Sequence, residues 1–553
     1  MKKTLLTVMS IMLVLSIVFT GCGKQDGKKD SNDKNASNNK KIMRVNNTEE
    51  PGSLHPGKAQ GTHDSWVLEH IFEGLTKKDA NGNIVAGMAK EWKVSEDGLT
   101  YTFTLRDGVK WTNGDPVTAG DFEYAWKYAL NPNTASDYAY ILYPITGAEA
   151  YNTADPSKIS AEKLKELENA VGVKAINDKT LEVKLTAPTA YFTEMLSFYT
   201  YYPVNKKVQE ANPNWYTNAE TYVSNGAFKM TEWKHKESIT VVKNEDYYDK
   251  AKIKLDGINF AMINSDITTW QMYENGELDL GFPLPQDVVA QLKSKNDPQL
   301  TIGNDLSTYF YRFNTTVKPL NNAKVRKALS MAINRSIITE QVTQGGQRPA
   351  FSFTPPGIPD AEGKDFQATN GHLFEENIEE AKKLLAEGLA EEGMNKLTLT
   401  IIYNTDEGHK RIAEAVQSMW KENLGVEVKL ENMEFQVKID REHALDYQVS
   451  RAGWIGDYID PMTFLDMFLS DSSMNDTGWK NAQYDALIKD AQTTTDVVKR
   501  MNDLYAAEKI LMEEMPIMPI YFYTQPYATK SNVTGIYKPV NRYPQLHYAD
   551  IIE

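Results

Sequence analysis

A strand, a helix and a second strand follow one another in the second half of the chain, and this arrangement restricts the fold more than any other feature. The strands read KLTLTIIYN and VEVKL, and the helix between them reads GHKRIAEAVQSMWKENLG. One helical face collects the apolar residues Ile412, Val416 and either Met419 or Trp420. Gly425 follows as a stop signal. Such units join parallel strands, so the sequence predicts an α/β architecture with an open, partly parallel sheet, whose ligands bind at the carboxyl ends of the strands.

The first third of the chain contains two predicted hairpins and a capped helix. The stretch LTYTFTLRDGVKW alternates polar and apolar residues and then reaches Asp107-Gly108, which predicts a hairpin turn. A second hairpin is predicted in VKAINDKTLEVKL, with its turn at Asn177-Asp178. Thr118, followed three residues later by Asp121, predicts the start of a helix. The buried face of that helix is expected to consist of Phe122, Ala125, Trp126 and Ala129.

The amino terminus has the organisation of a secretory signal. Lys2 and Lys3 precede an apolar run, and the small residues TGC follow, ending at Cys22. The ending resembles a bacterial lipobox, which implies a signal peptide over 1–21 and lipidation of Cys22. The tract from there to residue 41 is almost entirely polar and is expected to be a disordered tether. Because Cys22 is the only cysteine, an internal disulfide is excluded.

Composition limits the classes of partner. The 553 residues carry a formal net charge of -15, which disfavours nucleic acid because its binding depends on Lys and Arg displacing counterions. The 29 tyrosines and 10 tryptophans suit a protein that lines a cleft, although a large core also uses such residues. No run after the signal is long and apolar enough to span a bilayer. The length suggests two to four domains.

The stretch GSLHPGKA, which begins at Gly52, matches most of a phosphate-binding loop. A working loop of this type follows a buried strand and ends in Ser or Thr, which binds magnesium. Here Ala59 has no hydroxyl, Pro56 has no amide proton, and the preceding residues are mostly polar. We therefore do not expect nucleotide binding.

Catalytic motifs are also missing from the sequence. It contains no G-x-S-x-G, no H-E-x-x-H and no C-x-x-C. His63 and His70, with Glu69 beside the latter, lie on one face if they share a helix, but surface or packing roles are the better interpretation and no metal is expected. The sequence thus predicts a protein that is not an enzyme and needs no cofactor. A pair of carboxylates brought together by the fold, as in a hydrolase, stays an open alternative.

The stretch GMAKEWKVSEDGLTYTFTLRDGVKWTNGDPVTAGDFEYAWK resembles the signature of the peptide- and nickel-binding extracytoplasmic proteins that serve ABC importers. Further similarity lies in YVSNGAFKMTEWKH, KPLNNAKVRKALSMAINR and GWIGDYIDPMTFL, so it extends over nearly all of the mature chain. Within this family the chain is similar to the oligopeptide-binding lipoproteins of Gram-positive bacteria.

The resemblance implies a two-lobed periplasmic-binding-protein fold of type II, cluster C, with a hinge and an extra small domain. Lobe I is expected to comprise 42–61, 188–280 and 522–553. The extra domain II is expected at 62–187, and lobe III at 281–521. Closure of two such lobes buries a ligand between them.

The resemblance also implies where a peptide is held. Its backbone is expected to lie as an added strand between Glu50–Ser53, which includes Gly52, and Gly453–Ile455, which includes Trp454. Asp457 matches the position that pairs with the ligand's ammonium group. Arg451, His409 and Lys318 match positions that serve the ligand's carboxylate.

One position departs from the family. Glu442 stands where an enterobacterial relative has Arg, and the adjacent Arg441 is the candidate replacement. Tyr138 and Phe435 are expected to line side-chain pockets, with Phe435 in place of a Trp. The departure leaves the preferred peptide length open.

The sequence therefore predicts a lipid-anchored receptor, on the outer face of the cell membrane, that captures oligopeptides and passes them to a membrane-embedded ABC permease. It is expected to act as a monomer, with no nucleic-acid partner. The alternatives are a narrower ligand, such as a dipeptide, a cell-wall or signalling peptide or a nickel chelate, and an extracellular hydrolase.

Overall fold

A computed structural model describes residues 40–80, 83–189, 191–494 and 496–552. The predictions for the signal peptide, for Cys22 and for nearly all of the tether therefore lie outside the described residues. Within these ranges, no helix has the length and apolar character needed to cross a membrane.

The strands are named here in chain order. They are β1 (Ile42–Asn46), β2 (Thr76–Lys78), β3 (Ile84–Ala86), β4 (Ala89–Val94), β5 (Thr100–Leu105), β6 (Val173–Asn177), β7 (Thr180–Lys184), β8 (Phe228–Lys234), β9 (Ser238–Lys243), β10 (Gly257–Ala261), β11 (Leu280–Gly281), β12 (Leu300–Phe313), β13 (Arg348–Pro349), β14 (Thr398–Asn404), β15 (Glu427–Met433), β16 (Val449–Ile455), β17 (Ile517–Thr529), β18 (Val533–Thr534) and β19 (Asp550–Ile551).

The α-helices are named in the same way. They are α1 (Thr62–Ile71), α2 (Ala119–Leu130), α3 (Ala148–Asn152), α4 (Ala161–Ala170), α5 (Phe192–Met195), α6 (Lys206–Ala211), α7 (Asp266–Glu274), α8 (Gln286–Ser294), α9 (Ala323–Met331), α10 (Arg335–Ile337), α11 (Phe366–Asn370), α12 (Ile378–Glu391), α13 (Glu407–Leu424), α14 (Phe435–His443), α15 (Met462–Leu465), α16 (Ala482–Thr493) and α17 (Val497–Glu514).

The first sheet has the strand order β1-β10-β9-β8, with β1 and β10 parallel and the other pairs antiparallel. All its strands come from segments predicted for lobe I. Helix α1 packs on this sheet, since the Trp66 ring lies 5.4 Å from the Phe260 ring. The resemblance assigns α1 to the extra domain, and that assignment stays a prediction.

The second sheet is antiparallel, with the order β4-β5-β7-β6. The hairpin of β6 and β7 is confirmed, and so is the start of α2, where Asp121 accepts hydrogen bonds from the N–H and hydroxyl of Thr118. The hairpin predicted at Asp107-Gly108 is wrong. A turn is present, with Gly108 at φ +73°, but both edges of β5 are occupied by β4 and β7, so the following segment does not pair with it.

The third sheet is the largest, with the order β11-β17-β12-β16-β14-β15 and β13 added beside β17. The predicted strand-helix-strand unit is confirmed, because β14 and β15 are parallel and are joined by α13. Ile412, Val416 and Trp420 are buried, and Gly425 ends the helix with a left-handed φ of 66°. Strand β14 is also parallel to β16, which brings the carboxyl ends of β14, β15 and β16 to one edge.

The first and third sheets are connected between β1 and β11. Arg44 forms an ion pair of 2.6 Å with Asp279, whose N–H donates to the Arg44 carbonyl. Strand β17 runs without interruption from 517 to 529, so the lobe boundary predicted at 521/522 falls inside a strand of the third sheet. The assignment of the remaining segments to lobes stays a prediction.

Candidate functional site

The end of β16 presents an open backbone edge. Strand β16 pairs with β12 along its whole length, but with β14 only at Val449 and Ser450. Gly456 N–H donates to Leu306 and Gln448 accepts from Asn314, so the even-numbered residues of β16 face β12. Backbone partners alternate along an antiparallel strand, so the odd-numbered residues point away from it.

The free backbone groups of this edge belong to Gly453 and Ile455, two of the residues expected to bind backbone. Within the described ranges they have no strand partner on this side. A Cβ at Gly453 would lie 3.2 Å from the Tyr523 hydroxyl and 3.4 Å from Arg451 Nη2. Trp454 faces the opposite way along the backbone, and its Nε1 donates to the Thr463 carbonyl at 2.6 Å. The edge is therefore suited to pairing with an extended chain, and glycine keeps it narrow.

The segment Glu50–Ser53 is held by side chains rather than by a strand. The Glu50 carboxylate accepts from the Trp233 indole, the His235 ring and the Lys236 N–H, all at the β8-β9 turn. The Gly52 N–H donates to Asp64 at 2.6 Å. Because that N–H is already satisfied, a ligand strand beside Gly52 is expected to bond to the carbonyl group of this residue.

Asp457 follows β16 and is 7% exposed. The Tyr140 hydroxyl donates to its carboxylate at 3.1 Å, and no cation of the described residues lies within ion-pair distance of that carboxylate. Burial raises the pKa of Asp457 to about 7, against the opposing effects of Arg542 and the Tyr140 hydrogen bond. A buried carboxylate with one hydroxyl partner is a strong site for a ligand cation.

The backbone of Asp457 is fixed on both sides. Its N–H donates to the Thr463 hydroxyl at 3.1 Å, while its carbonyl accepts from Asn541 Nδ2 at 3.1 Å and from Arg542 Nη2 at 3.4 Å. Tyr140 lies between α2 and α3 and Asn541 lies in the carboxyl-terminal segment, so three separate parts of the chain converge on this residue.

Arg451 lies at the other end of the open edge. Its guanidinium donates to the Tyr523 hydroxyl at 2.6 Å and lies 4.7 Å from the centre of the Tyr309 ring. All its described partners are neutral. His409 contacts the same Tyr309 ring, with 5.6 Å between the ring centres. Burial and the charges of Arg451 and Lys438 lower the pKa of His409, so its ring is neutral at physiological pH. The structure thus brings Arg451 and His409 together.

Glu442, the departure from the family, is completely buried in a charge network. Its carboxylate lies 2.9 Å from Arg312 and 2.7 Å from Lys438, and it accepts from the Ser450 hydroxyl at 2.6 Å. Although burial opposes ionisation, the two cations lower the pKa of Glu442. Its charge is therefore compensated inside the protein, which leaves Arg451 as the cation available at this end of the edge.

The other two cationic candidates are paired with carboxylates of the protein. The Lys318 side chain is 70% exposed and pairs with Glu392 at 3.1 Å. Arg441 bonds to Asp446 at 3.0 Å and lies 3.7 Å from Glu431. Both charges already have carboxylate partners, so we do not place Lys318 or Arg441 in the group around Arg451.

The two pocket candidates have different surroundings. Tyr138 lies 5.6 Å from the ring of Tyr140 and 5.4 Å from that of Phe198, beside Asp457's hydroxyl partner. Phe435 begins α14 at the carboxyl end of β15 and is 56% exposed. Tyr138 is therefore part of the wall around Asp457, and Phe435 lies at the sheet edge to which β16 also runs.

Polar groups of the loop GSLHPGKA contact other groups of the protein. The Gly57 N–H donates to His55 Nδ1, and Lys58 lies about 6 Å from the rings of Tyr128 and Tyr216. His63 bonds to the Asn47 carbonyl. His70 is buried, accepting from the Leu546 N–H at Nε2. Among the described residues no three His, Cys, Asp or Glu side chains form a possible metal site.

Reasoning from the sequence missed two residues of the site, Tyr140 and Arg542. Tyr140 lies two positions after Tyr138 in YAYILY, and no local pattern distinguishes the two. Arg542 lies 85 positions from Asp457. Both contacts depend on tertiary structure, so only the fold reveals them.

Two lobes with an open strand edge between a buried carboxylate and a buried guanidinium define a solute-binding protein with the periplasmic-binding fold. The chain belongs to the bacterial extracellular solute-binding proteins, family 5, whose middle-region model matches residues 83–476. This is a family of binding proteins.

Individual relatives cover almost the whole chain. The oligopeptide-binding protein OppA of Bacillus subtilis is 46% identical over 548 residues, which is 96% of this chain and 97% of the relative. The dipeptide-binding protein DppE of the same organism is 42% identical, with 98% of each chain covered. The crystal structure of Haemophilus influenzae OppA in complex with RPPGFSPFR is 33% identical, with a TM-score of 0.81 over 93% of this chain and 100% of that one.

Proposed function

We propose that this protein is an extracytoplasmic receptor that captures oligopeptides and delivers them to an ABC-type import permease. The observation that carries this proposal is the pair of buried, uncompensated charges, Asp457 and Arg451, at opposite ends of an unpaired strand edge. A peptide has a cation at one end, an anion at the other and backbone bonding groups between them. It therefore complements all three features at once.

The geometry also indicates the size of the ligand. The strand from Arg451 to Ile455 covers about 13 Å at about 3.3 Å per residue. An extended peptide of about three to five residues covers a similar length once the reach of the two charged side chains is included. The relatives named above, one for oligopeptides and one for dipeptides, support peptides over sugars or metal chelates as the ligand class.

The proposal includes the membrane. The lipobox-like ending at Cys22 supports a lipid anchor on the outer face of the cell membrane, with the polar tract as a tether, and the permease supplies the energy of transport. Mass analysis of the amino-terminal peptide from the membrane fraction tests the anchor. A diacylglyceryl mass on Cys22 is expected, and an unmodified, uncleaved amino terminus contradicts it.

Ligand identification tests the function itself. Native mass spectrometry of a soluble form beginning at Lys24, followed by denaturation and analysis of the released small molecules, should give mixed peptides of narrow length range. A single dipeptide or a metal chelate points to the narrower receptor. Cleavage of added peptide points to the hydrolase, whereas a receptor returns the peptide intact.

The pH dependence of binding should follow Asp457 and the ligand amine. Asp457 must be ionised, and its ligand-free pKa is about 7, whereas a peptide amine titrates near pH 8. Affinity for a free-amine peptide should therefore be greatest between these values and fall by about tenfold per pH unit at lower pH. Isothermal titration calorimetry from pH 5.5 to 8.5 measures this, with the N-acetylated peptide as control. Equal pH dependence for both peptides would contradict the role of Asp457.

Gly453→Val tests the strand edge. The new side chain must displace the Tyr523 hydroxyl and Arg451 Nη2, so we expect a loss of binding free energy of about 1 to 3 kcal/mol. The loss should be the same for free and N-acetylated peptides, because backbone pairing is common to both. Val498→Ala, at a side chain of α17 that is 60% exposed and lies outside the site, is the control and should bind normally. Unchanged binding by Gly453→Val would remove the edge from the site.

A further inference from the structure

Arg542 occupies the tip of a fixed loop in the carboxyl-terminal segment. Tyr537 and Gln545 close the loop by exchanging backbone hydrogen bonds, and the Arg542 N–H donates to the Pro539 carbonyl. The loop does not belong to β16 or to its sheet. It nevertheless places a cation within hydrogen-bond distance of the Asp457 carbonyl.

The Arg542 side chain uses all three of its nitrogens within the protein. Its Nε lies 2.7 Å from the Glu69 carboxylate, its Nη1 donates to the Asn541 carbonyl at 3.1 Å, and its Nη2 donates to the Asp457 carbonyl at 3.4 Å. The guanidinium also lies 4.9 Å from the centre of the Phe198 ring. Its side chain is 10% exposed, so both its geometry and its charge are set by the fold.

Several charged groups surround Asp457, and Arg542 is one of the few cations among them. The titratable and charged groups that face or influence this site are Tyr138, Tyr140, Tyr199, Tyr458, Asp64, Asp460, Asp466, Glu69, Arg500 and Arg542. Arg500 is paired bidentately with Asp460. Arg542 is the cation that bonds to Asp457, through the Asp457 carbonyl, and it is also paired with Glu69.

We propose that Arg542 is a second determinant of ligand capture, which positions the Asp457 backbone and keeps the Asp457 carboxylate charged for the ligand's ammonium group. This inference rests on the proposed peptide-binding function. A buried acid loses its charge when no cation is near, and a neutral carboxyl cannot pair with an ammonium ion. Glu69, which is paired with Arg542, opposes this effect, because its negative charge offsets part of the positive charge that Arg542 presents to Asp457.

Three variants separate this role from simple support of the loop. Arg542→Met removes the charge, Arg542→Lys keeps it, and Glu69→Gln removes the competing carboxylate. Gln545 Nε2, which donates to Glu69 at 2.7 Å, has an amide oxygen to bond to in Glu69→Gln. A cavity of ≈ 60 Å³ lined by Glu69, Arg542 and Gln545 gives the altered side chains room.

Titration calorimetry of free and N-acetylated tripeptides from pH 5.5 to 8.5 provides the readout. Arg542→Met should move the midpoint of the acid limb upward by about one pH unit, with about tenfold weaker binding of the free-amine peptide at pH 6.5. Arg542→Lys should keep the midpoint of the natural protein. Glu69→Gln should move the midpoint to lower pH, in the opposite direction.

A supporting role alone predicts a different pattern. If Arg542→Met lowers the affinities of free and acetylated peptides equally and leaves the midpoint unchanged, or if Glu69→Gln shifts the midpoint upward, the proposal is overturned. Asp457→Ala, measured in parallel, distinguishes the two levels. If Asp457→Ala weakens the binding of the free peptide more than that of the acetylated peptide, but the Arg542 variants do not shift the midpoint as expected, only the role of Arg542 is contradicted. If Asp457→Ala binds both peptides normally, the assignment of Asp457 to the ligand's ammonium group is contradicted as well.

Discussion

Asp457→Asn should weaken the binding of free-amine peptides by about 2 to 5 kcal/mol, which is the cost of removing one charge from a buried pair. Asp457 is 7% exposed and its carboxylate is bonded to the Tyr140 hydroxyl, so the ligand ammonium would lose its buried anionic partner. N-acetylated peptides should lose much less, because they carry no ammonium group. Calorimetry at pH 7.5 with both peptides measures the difference, and an equal loss for both would contradict the assignment.

The same substitution should stabilise the ligand-free protein at alkaline pH. The pKa of Asp457 is raised from 3.8 to about 7 on folding, so the carboxyl contributes favourably below about pH 4 and loses this contribution as the pH rises through 7. An amide has no such charge to bury. At pH 8 the variant should therefore be more stable by about 2 to 4 kcal/mol, and at pH 5 the two proteins should be closer.

Thermal unfolding of protein freed of peptide by denaturation and refolding tests this expectation at both pH values. A variant that is less stable than the natural protein at pH 8 would show that the Asp457 carboxylate is better accommodated than its burial indicates. The ionised Asp457 carboxylate would then favour both the stability of the protein and the binding of the ligand.

Glu442→Gln should have the largest effect on stability. Removing this charge leaves Arg312 and Lys438 buried beside each other with less compensation, although Arg312 keeps its contact of 3.0 Å with Asp476. Breaking a buried pair in this way costs about 3 to 5 kcal/mol. Because the pKa of Glu442 is lowered on folding, its contribution is present above the unfolded value and should be lost as the pH falls through the folded one.

Urea unfolding at pH 7.5 gives the difference in unfolding free energy. Glu431→Gln is the matched control, since Glu431 is 40% exposed and lies 3.7 Å from Arg441, and it should cost less than about 1 kcal/mol. Equal stabilities for the two variants would show that the network around Glu442 stabilises no more than a surface pair.

Local patterns predicted the elements that depend on neighbouring residues. The helix α13 and its flanking strands, the capped start of α2 and the β6-β7 hairpin all follow from periodicity and turn residues, and all are confirmed. The prediction of a hairpin at Asp107-Gly108 was wrong. The turn is present, but a turn signal does not indicate which strands pair with the two edges of β5. One of these edges is paired with β7, which lies much later in the chain.

Some residues of the site could likewise be identified from the sequence, whereas others are brought to it only by the fold. Asp457, Arg451 and Gly453 lie within one short stretch, and resemblance to the family brought attention to all three. Tyr140 and Arg542 reach Asp457 from 317 and 85 positions away. Lys318 and Arg441 matched or neighboured family positions, but their charges are neutralised by Glu392 and Asp446, which no alignment of motifs indicates.

Strand β17 determines when the large sheet can form during synthesis. It ends at Thr529, close to the carboxyl terminus, yet it lies between β11 and β12 and bonds to both. The sheet therefore lacks an interior strand until residues 517–529 have been synthesised, and its long-range pairing is intrinsically slow. Because β12 lies between β16 and β17, the strand that carries the open edge gains its full support only after β17 has paired.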